Sequence, residues 1–273
     1  MTDRYALFGL PLGHTKSPLI HGEFARLTGQ DLTYEAIEAS ADGFAAAVDR
    51  FRAEGGRGAN VTLPFKLDAY AYATERRERA RLAGAANCIR FDGDRVIADN
   101  FDGVGLVNDI QSNLGYPMRG RRVLLMGAGG AARGALLPFL DAAPEVLAIA
   151  NRPVAKAVAL REQFPERKNL VAGGYADFAG QVFDLVVNAT SASLRGELPP
   201  VDLANFTAGC LAYDLVYGKG LTPFLRVARD AGAGRLADGV GMLVEQAAEA
   251  FEWWRGVRPA TRGLIDKLTV PLV

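Results

Sequence analysis

Two stretches of this 273-residue chain combine residue types that can carry chemistry. The first is Leu63-Pro64-Phe65-Lys66, which sets one ammonium group among apolar neighbours. Of the 31 basic side chains only six are lysine (Lys16, Lys66, Lys156, Lys168, Lys219 and Lys267), so arginine is the default cation here. An arginine stays protonated at any working pH, whereas a lysine can give up and recover a proton. Lys66 is therefore the candidate for proton transfer, with an ordinary surface lysine as the competing reading. Asp102-Gly103 adds a carboxylate, or simply the common Asp-Gly turn. The second stretch is Gly127-Ala128-Gly129-Gly130-Ala131-Ala132, directly after the apolar run Val123-Leu124-Leu125-Met126. A Gly-x-Gly-x-x-Ala turn between a strand and a helix lets pyrophosphate oxygens reach backbone N–H groups at the helix N-terminus. The next apolar strand ends in Asn151-Arg152, with Lys156 one helical turn on. An NAD site usually has a carboxylate there for the ribose hydroxyl, about 20 residues past the turn. Arg152 and Lys156 would instead pair with a 2′-phosphate, so the expected cofactor is NADP, with NAD as the alternative. An idle surface arginine at a strand end is the competing reading.

The elements that must position these groups show as periodicity and punctuation. Tyr5–Gly9 is a short apolar strand. Ser17-Pro18 marks a helix start, Ser17 as N-cap and Pro18 at the first helical position. Ile20, Phe24 and Leu27 would form its apolar face and Gly29 its stop. A strand at Thr33–Ile37, a helix over 41–54, and the turn Gly55-Gly56-Arg57-Gly58 lead to Ala59-Asn60-Val61. Beyond a helix at Val104–Leu114, strands at Val123–Met126, Val146–Ala150, Val182–Asn188 and Cys210–Leu215 follow the rhythm of a doubly wound sheet. The expected class is α/β. An N-terminal α/β domain with a largely parallel sheet covers residues 1–103, and a doubly wound Rossmann-type NADP domain covers 104–238. A C-terminal helical tail, 239–273, returns to the first domain. Within it Glu245, Ala248 and Trp253-Trp254 read as helix packing and solvated face.

Composition excludes several function classes. Lys+Arg and Asp+Glu both count 31, so the basic excess of a nucleic-acid binder is missing. No apolar run approaches the roughly 18 residues that span a bilayer. The start, Met1-Thr2-Asp3-Arg4-Tyr5, lacks the apolar core of a signal peptide, and a cytoplasmic location is expected. Cys88 and Cys210 stand far apart, as do His14 and His21 from any third ligand, so neither a disulfide nor a metal site is expected.

Several blocks carry a family resemblance. Gly9-Leu10-Pro11-Leu12-Gly13-His14-Thr15-Lys16-Ser17-Pro18, Asn60-Val61-Thr62-Leu63-Pro64-Phe65-Lys66, Gly84-Ala85-Ala86-Asn87 and Asn100-Phe101-Asp102-Gly103 resemble motifs of the shikimate dehydrogenases. So do Gly127–Arg133, Asn151-Arg152, Asn188-Ala189-Thr190-Ser191, Tyr213–Leu225 and Asp238–Gln246, in the family's order and over nearly the whole chain. The resemblance implies reversible reduction of 3-dehydroshikimate to shikimate with NADPH, in aromatic amino-acid biosynthesis. Its substrate would be a small ring carboxylic acid, and no nucleic-acid or membrane partner is expected. Lys66 and Asp102 become the implied catalytic pair. Hydride transfer leaves an alkoxide that needs a proton from Lys66, and Asp102 would orient the ammonium and the reacting hydroxyl. Thr15 and Ser17, at a helix N-terminus, suit the substrate carboxylate, a plain N-cap being the alternative for Ser17. Asn60, Thr62, Asn87 and Asp102, joined by Tyr217 and Gln246, are implied for the rest of the ring. The implied cofactor contacts are Gly127, Ala128, Gly129, Gly130, Ala131, Asn151, Arg152, Lys156, Thr190, Ser191 and Ala192, with Leu215, Gly239 and Met242 toward the nicotinamide.

Three positions depart from the family pattern. Thr15 stands where serine is common, and its extra methyl narrows the carboxylate pocket, which bears on shikimate against quinate. Phe101 replaces a usual threonine before the aspartate. Pro153 replaces a threonine that helps hold the 2′-phosphate, which weakens the expected NADP preference. Two further functions fit the residues: a quinate/shikimate or aminoshikimate dehydrogenase with relaxed cofactor use, and a non-catalytic dinucleotide-sensing regulator. Retention of both Lys66 and Asp102 argues against the regulator. Monomer and homodimer are equally compatible with the sequence.

Overall fold

The computed structural model describes residues 2–272, which form two units: 2–105 with 244–264, and 106–243 with 265–272. The first unit opens with β1 (Asp3–Gly9), α1 (Ser17–Thr28), β2 (Leu32–Glu38), α2 (Phe44–Ala53), β3 (Gly56–Val61) and α3 (Lys66–Tyr72). It continues with β4 (Glu75–Arg76), α4 (Glu78–Ala83), β5 (Cys88–Asp92), β6 (Arg95–Asp99) and the start of α5 (Asp102–Asn108). The sheet order is β2-β1-β3-β5-β6-β4. β1 pairs parallel with β2 and β3, and β4 with β6, so the sheet is largely parallel as expected, with β5 inserted antiparallel to both β3 and β6. A tight hairpin makes the β5–β6 reversal: Asp92 faces Arg95 across Gly93-Asp94, and Gly93 takes the positive φ of +59° that such a turn needs. A ring cluster closes one face of the sheet. Phe8 meets Phe44 and Phe51 edge-on at 5.9 and 5.8 Å, and Phe44 stacks on Phe65 at 5.3 Å. Phe65 is buried, which anchors the residue directly before Lys66.

Helix α1 differs from its sequence reading at both its start and its buried face. The N-cap position is Lys16, and no side chain caps it. The Thr15 hydroxyl instead accepts the Ser17 N–H at 3.3 Å, so the Ser17 hydroxyl is spared from capping. The buried face is Ser17, Ile20, His21, Phe24 and Ala25, while Leu27 is 47% exposed. Hydrophobicity favoured Leu27, but β2 offers a tyrosine that an imidazole can cover. His21 stacks on Tyr34 at 4.1 Å and 4° and is flanked by Phe24, Phe251 and Trp254. Gly29 ends the helix at φ +64°.

The second unit contains β7 (Arg122–Met126), α6 (Gly130–Asp141), β8 (Val146–Ala150), α7 (Val154–Arg161), β9 (Leu170–Gly173) and β10 (Leu185–Asn188). β11 (Leu211–Asp214), α8 (Pro223–Asp230), β12 (Arg235–Asp238), the start of α9 (Val240–Arg255) and most of α10 (Arg262–Leu268) follow. All neighbouring strands are parallel in the order β12-β11-β10-β7-β8-β9, the doubly wound arrangement expected of a Rossmann-type domain. The helix expected over 104–114 breaks: α5 ends at Asn108 and a wide π turn covers Asp109–Asn113. The turn rotates the Asp109 carboxylate inward, where it accepts the Tyr213 Oη–H at 2.7 Å. A Cβ on Gly241 would lie 1.9 Å from that carboxylate, so only glycine fits there. The return to the first unit is shorter than 239–273, because residues from 265 onward stay with the second unit, where Leu272 packs on its apolar core. Trp254 stacks on Tyr5 at 4.6 Å and Trp253 packs on the Phe101 cluster, both as helix packing. Among the described residues no helix is long and apolar enough to cross a membrane, and no group of three or more His, Cys, Asp or Glu could hold a metal ion.

His21 carries a pH prediction. It is 1% exposed, neither ring nitrogen makes a well-formed hydrogen bond, and burial pushes its pKa from 6.5 down to about 3, the nearby Asn60 amide opposing. Between these values the unfolded chain binds a proton that the folded one refuses, so stability falls as pH drops. At pH 5 the loss should be on the order of 2 kcal/mol. Unfolding free energies from urea titrations at pH 7.5 and 5 should differ by that amount less in His21→Phe than in the parent, and equal pH slopes would refute it.

Candidate active site

Lys66 and Asp102 meet. Lys66 is the first residue of α3, and its carbonyl accepts the Ala86 N–H at 2.9 Å, which ties the end of the β3–α3 turn to the segment before β5. Asp102 is the first residue of α5. Lys66 Nζ lies 2.6 Å from Asp102 Oδ2, with side-chain exposures of 26% and 10%. The other carboxylate oxygen, Oδ1, accepts Asn87 Nδ2 at 2.8 Å. Asn87 Nδ2 also reaches Gln246 Oε1 of α9 at 3.2 Å, and Asn87 Oδ1 accepts the Phe101 N–H at 2.9 Å. The carboxylate is thus held at both oxygens, and the ammonium is directed by one of them.

A buried carboxylate held by two partly exposed arginines, missed in the sequence, supports the Asp102 segment. Asp99 has a fully buried side chain paired with Arg79 at 2.5 Å and Arg77 at 3.5 Å, and its Oδ1 accepts the Asn100 N–H at 2.8 Å. Asn100 Oδ1 then accepts the Asp102 N–H at 3.1 Å, while its amide donates to the Ala85 carbonyl. An aspartate at a strand end carries no local signal for this role, since Arg79 lies twenty residues earlier.

The remaining expected substrate residues of the first unit carry their own polar contacts. Thr15 Oγ1 is 3.4 Å from Ser17 Oγ, and Ser17 is buried. Asn60, on β3, accepts Tyr34 Oη at 2.8 Å on its Oδ1 and donates weakly from Nδ2 to the Asn87 carbonyl at 3.4 Å. Thr62 is partly buried and its N–H donates to the Phe8 carbonyl. Beside Lys66 these side chains offer neutral donors and acceptors, an arrangement suited to a hydroxylated ring whose oxygen takes or gives a proton. Tyr217 belongs to the second unit, on the loop between β11 and α8, with 39% exposure. Tyr34 was not among the expected residues, because nothing in its sequence neighbourhood points toward Asn60.

In the second unit the glycine turn lies between β7 and α6. Gly127 has φ +108°, and an added Cβ would come 3.2 Å from the Ala189 backbone. Gly129 and Gly130, at the start of the twelve-residue α6, have nothing within 4 Å of such a Cβ. Open space therefore adjoins Ala128, Ala131 and the free N–H groups of a helix N-terminus. At the end of β8, Asn151 Nδ2 donates to the Pro153 carbonyl at 2.7 Å, and Pro153 stands at the N-cap of α7. Arg152 and Lys156 are exposed and, among the described residues, neither joins an ion pair. A dinucleotide bearing an extra phosphate fits this donor set: backbone N–H groups at an open turn and two unpaired cations a strand away. Thr190 Oγ1 donates to Asn188 Oδ1 at 2.7 Å and accepts the Ala192 N–H at 3.3 Å, while Ser191 Oγ accepts Arg195 at 2.7 Å. Asp214, also missed, holds this end of the sheet. Its buried carboxylate accepts Asn188 Nδ2, Ser193 Oγ, Thr222 Oγ1 and the Val216 N–H. Burial raises its pKa, and those four donors oppose the rise. Leu215 follows directly, and a Cβ on Gly239 would be 2.2 Å from the Leu215 carbonyl, so glycine is required there. The Met242 N–H reaches Tyr213 Oη at 3.3 Å.

Comparison with known proteins places this geometry in context. The model described as "Shikimate dehydrogenase substrate binding domain" matches residues 7–89, and "Shikimate / quinate 5-dehydrogenase" matches 109–195. "Shikimate 5'-dehydrogenase C-terminal domain" matches 239–266. The chain is 55% identical over 268 residues to a shikimate dehydrogenase (NADP(+)) of Nitrosospira multiformis, covering 98% of each. Among solved structures it is similar to an Ael1 enzyme from Pseudomonas putida, 60% identical with 100% of both chains covered and a TM-score of 0.97. It also resembles a shikimate 5-dehydrogenase from Thermus thermophilus solved in complex with NADP(H) and shikimate, at 29% identity, TM-score 0.85, covering 97% of this chain and 98% of that one. A chain that shares over half its residues with such a relative along nearly its whole length, and matches three of these models in order, belongs to the shikimate dehydrogenase family.

Proposed function

We propose that the protein catalyses the reversible, NADPH-dependent reduction of 3-dehydroshikimate to shikimate, a cytoplasmic step of aromatic amino-acid biosynthesis, without a nucleic-acid or membrane partner. The observation that carries this reading is the 2.6 Å contact of Lys66 Nζ with Asp102 Oδ2 amid neutral hydrogen-bonding side chains. Bound NADPH supplies the hydride. Lys66 Nζ gives a proton to the ketone oxygen as negative charge develops on it, and takes that proton back in the oxidation. Asp102 keeps the ammonium aimed and offsets its charge, and Asn87 holds the second carboxylate oxygen so that Asp102 cannot rotate away. Thr15 and Ser17 receive the substrate carboxylate, while Asn60, Thr62, Asn87, Tyr217 and Gln246 bind the rest of the ring. Gly127–Ala131 approach the pyrophosphate, and Asn151, Arg152 and Lys156 the adenosine 2′-phosphate. Thr190–Ala192 also contact the dinucleotide, and Leu215, Gly239 and Met242 border its nicotinamide end.

Two residues favour a broader selectivity as the second reading. The Thr15 methyl changes the carboxylate pocket, and Pro153 offers no hydroxyl to the 2′-phosphate, so quinate and NAD are the competitors to measure. Steady-state rates with shikimate and quinate, each with NADP and NAD, test the proposal. The highest kcat/KM is expected for shikimate with NADP. Faster turnover of quinate with NAD would overturn that choice, and tight NADP binding without any turnover would favour a dinucleotide sensor. Lys66→Ala should lower kcat by roughly 10²–10⁴-fold with a smaller change in KM, and an unchanged kcat would remove Lys66 from the reaction. Arg152→Ala should raise the KM for NADP by about tenfold and leave that for NAD alone, the loss of one charge-assisted contact.

A further inference from the structure

Ser17 and Asn60 share a neighbour that meets no substrate in the scheme above. Tyr34 lies on β2, the edge strand, in register with Tyr5 of β1, and Asn60 lies on β3, one strand further. Two strand spacings amount to about 9.6 Å, a gap that only a long side chain laid across the sheet can bridge. Tyr34 bridges it, with Oη donating to Asn60 Oδ1 at 2.8 Å. The ring is clamped from above by His21, stacked at 4.1 Å and 4°. His21 is four residues after Ser17 on the buried face of α1, so the helix that presents Ser17 also fixes the phenol.

The Asn60 amide has one acceptable orientation. Its Nδ2 faces the Asn87 carbonyl at 3.4 Å, and a flipped amide would set two carbonyl oxygens against each other. Oδ1 must therefore face Tyr34, with the phenol as donor. What Asn60 retains for a ligand is an N–H of Nδ2 in a fixed direction. We infer that Tyr34 is a positioning residue for the substrate: its hydroxyl locks the Asn60 side chain so that the amide N–H is presented ready-made to the ring acid. The inference rests on the proposed function for the identity of that acid. The chemistry of the stack agrees with it. Burial pushes the Tyr34 phenol well above its ordinary value, the Ser17 hydroxyl opposing, and burial holds His21 neutral down to about 3. Between those limits Tyr34 keeps its proton and remains a donor.

Kinetics of the full-length protein with shikimate and NADP test this in Tyr34→Phe, Asn60→Ala and the double variant. Tyr34→Phe keeps the ring stack and removes one oxygen. The KM for shikimate should rise by about three- to tenfold, as for loss of one hydrogen bond, with kcat and the KM for NADP essentially unchanged. In the Asn60→Ala background the same substitution should add nothing, because its effect passes through Asn60. An unchanged shikimate KM in Tyr34→Phe overturns the inference. So does an equal penalty in both backgrounds, or a variant that loses folding or NADP affinity as well, since each makes Tyr34 merely structural. A parent protein that turns over no shikimate overturns the functional reading itself, an outcome distinct from all of these.

Discussion

Asp102 has two carboxylate oxygens, and each has a different partner: Lys66 on Oδ2 and Asn87 on Oδ1. A carboxylate 10% exposed is costly to remove from water unless both oxygens are satisfied. Meeting that demand fixes much of the first unit. Asn87 must stand where β5 begins, Asn100 must hold the Asp102 N–H, and Asp99 must hold Asn100. The Arg79–Asp99 pair then has its own burial to offset, which the second arginine, Arg77, assists. The ammonium of Lys66 is left partly open to solvent, at 26% exposure, as the proposed proton donor must be.

The second unit solves a similar problem with the same device. Asp214 is wholly buried at the end of β11 and collects four donors from the end of β10 and from the loops after β10 and β11. Unpaired, each of those groups would destabilise the fold. Paired, they hold the loops that carry Thr190–Ala192 and Leu215 in one arrangement. Asp109 and Tyr213 repeat the pattern beneath Gly241 and Met242, at the cost of a regular helix over 109–113. In each case a buried acid organises backbone around a place where side chains or ligands must be aimed, without itself being exposed to them.

Some of this could be read from local sequence alone. The glycine turn was legible because its requirements are local: a left-handed φ at Gly127, open space at Gly129 and Gly130, an apolar strand before and a helix after. β8 emerged at Val146–Ala150 as expected, since a continuous apolar run between turns has few alternatives in a parallel sheet. Lys66 stood out because a chain rich in arginine retained a lysine beside buried Phe65. The second strand's end, Asn151-Arg152, was legible for the same reason, as a departure from the residue type that usually sits there.

Tertiary structure decided whatever depends on partners distant in the chain. Hydrophobicity placed Leu27 on the buried face of α1, yet the surface it had to cover was Tyr34, and His21 took the position. Ser17 as N-cap was a sound local inference until Thr15 bonded its N–H. The β5–β6 hairpin set one antiparallel strand into the largely parallel first sheet, and Asp109 found Tyr213 across 104 residues and widened its helix. Lys66 and Asp102 lie 36 residues apart, and Asn87 and Gln246 lie 159 apart. Periodicity and turn chemistry speak for about one element at a time, so by themselves they determined which residues could do chemistry and which turns could receive a dinucleotide. Which of those residues touch, and in which direction each amide and carboxylate points, followed only when distant strands were brought side by side and every buried polar group had to find its partner.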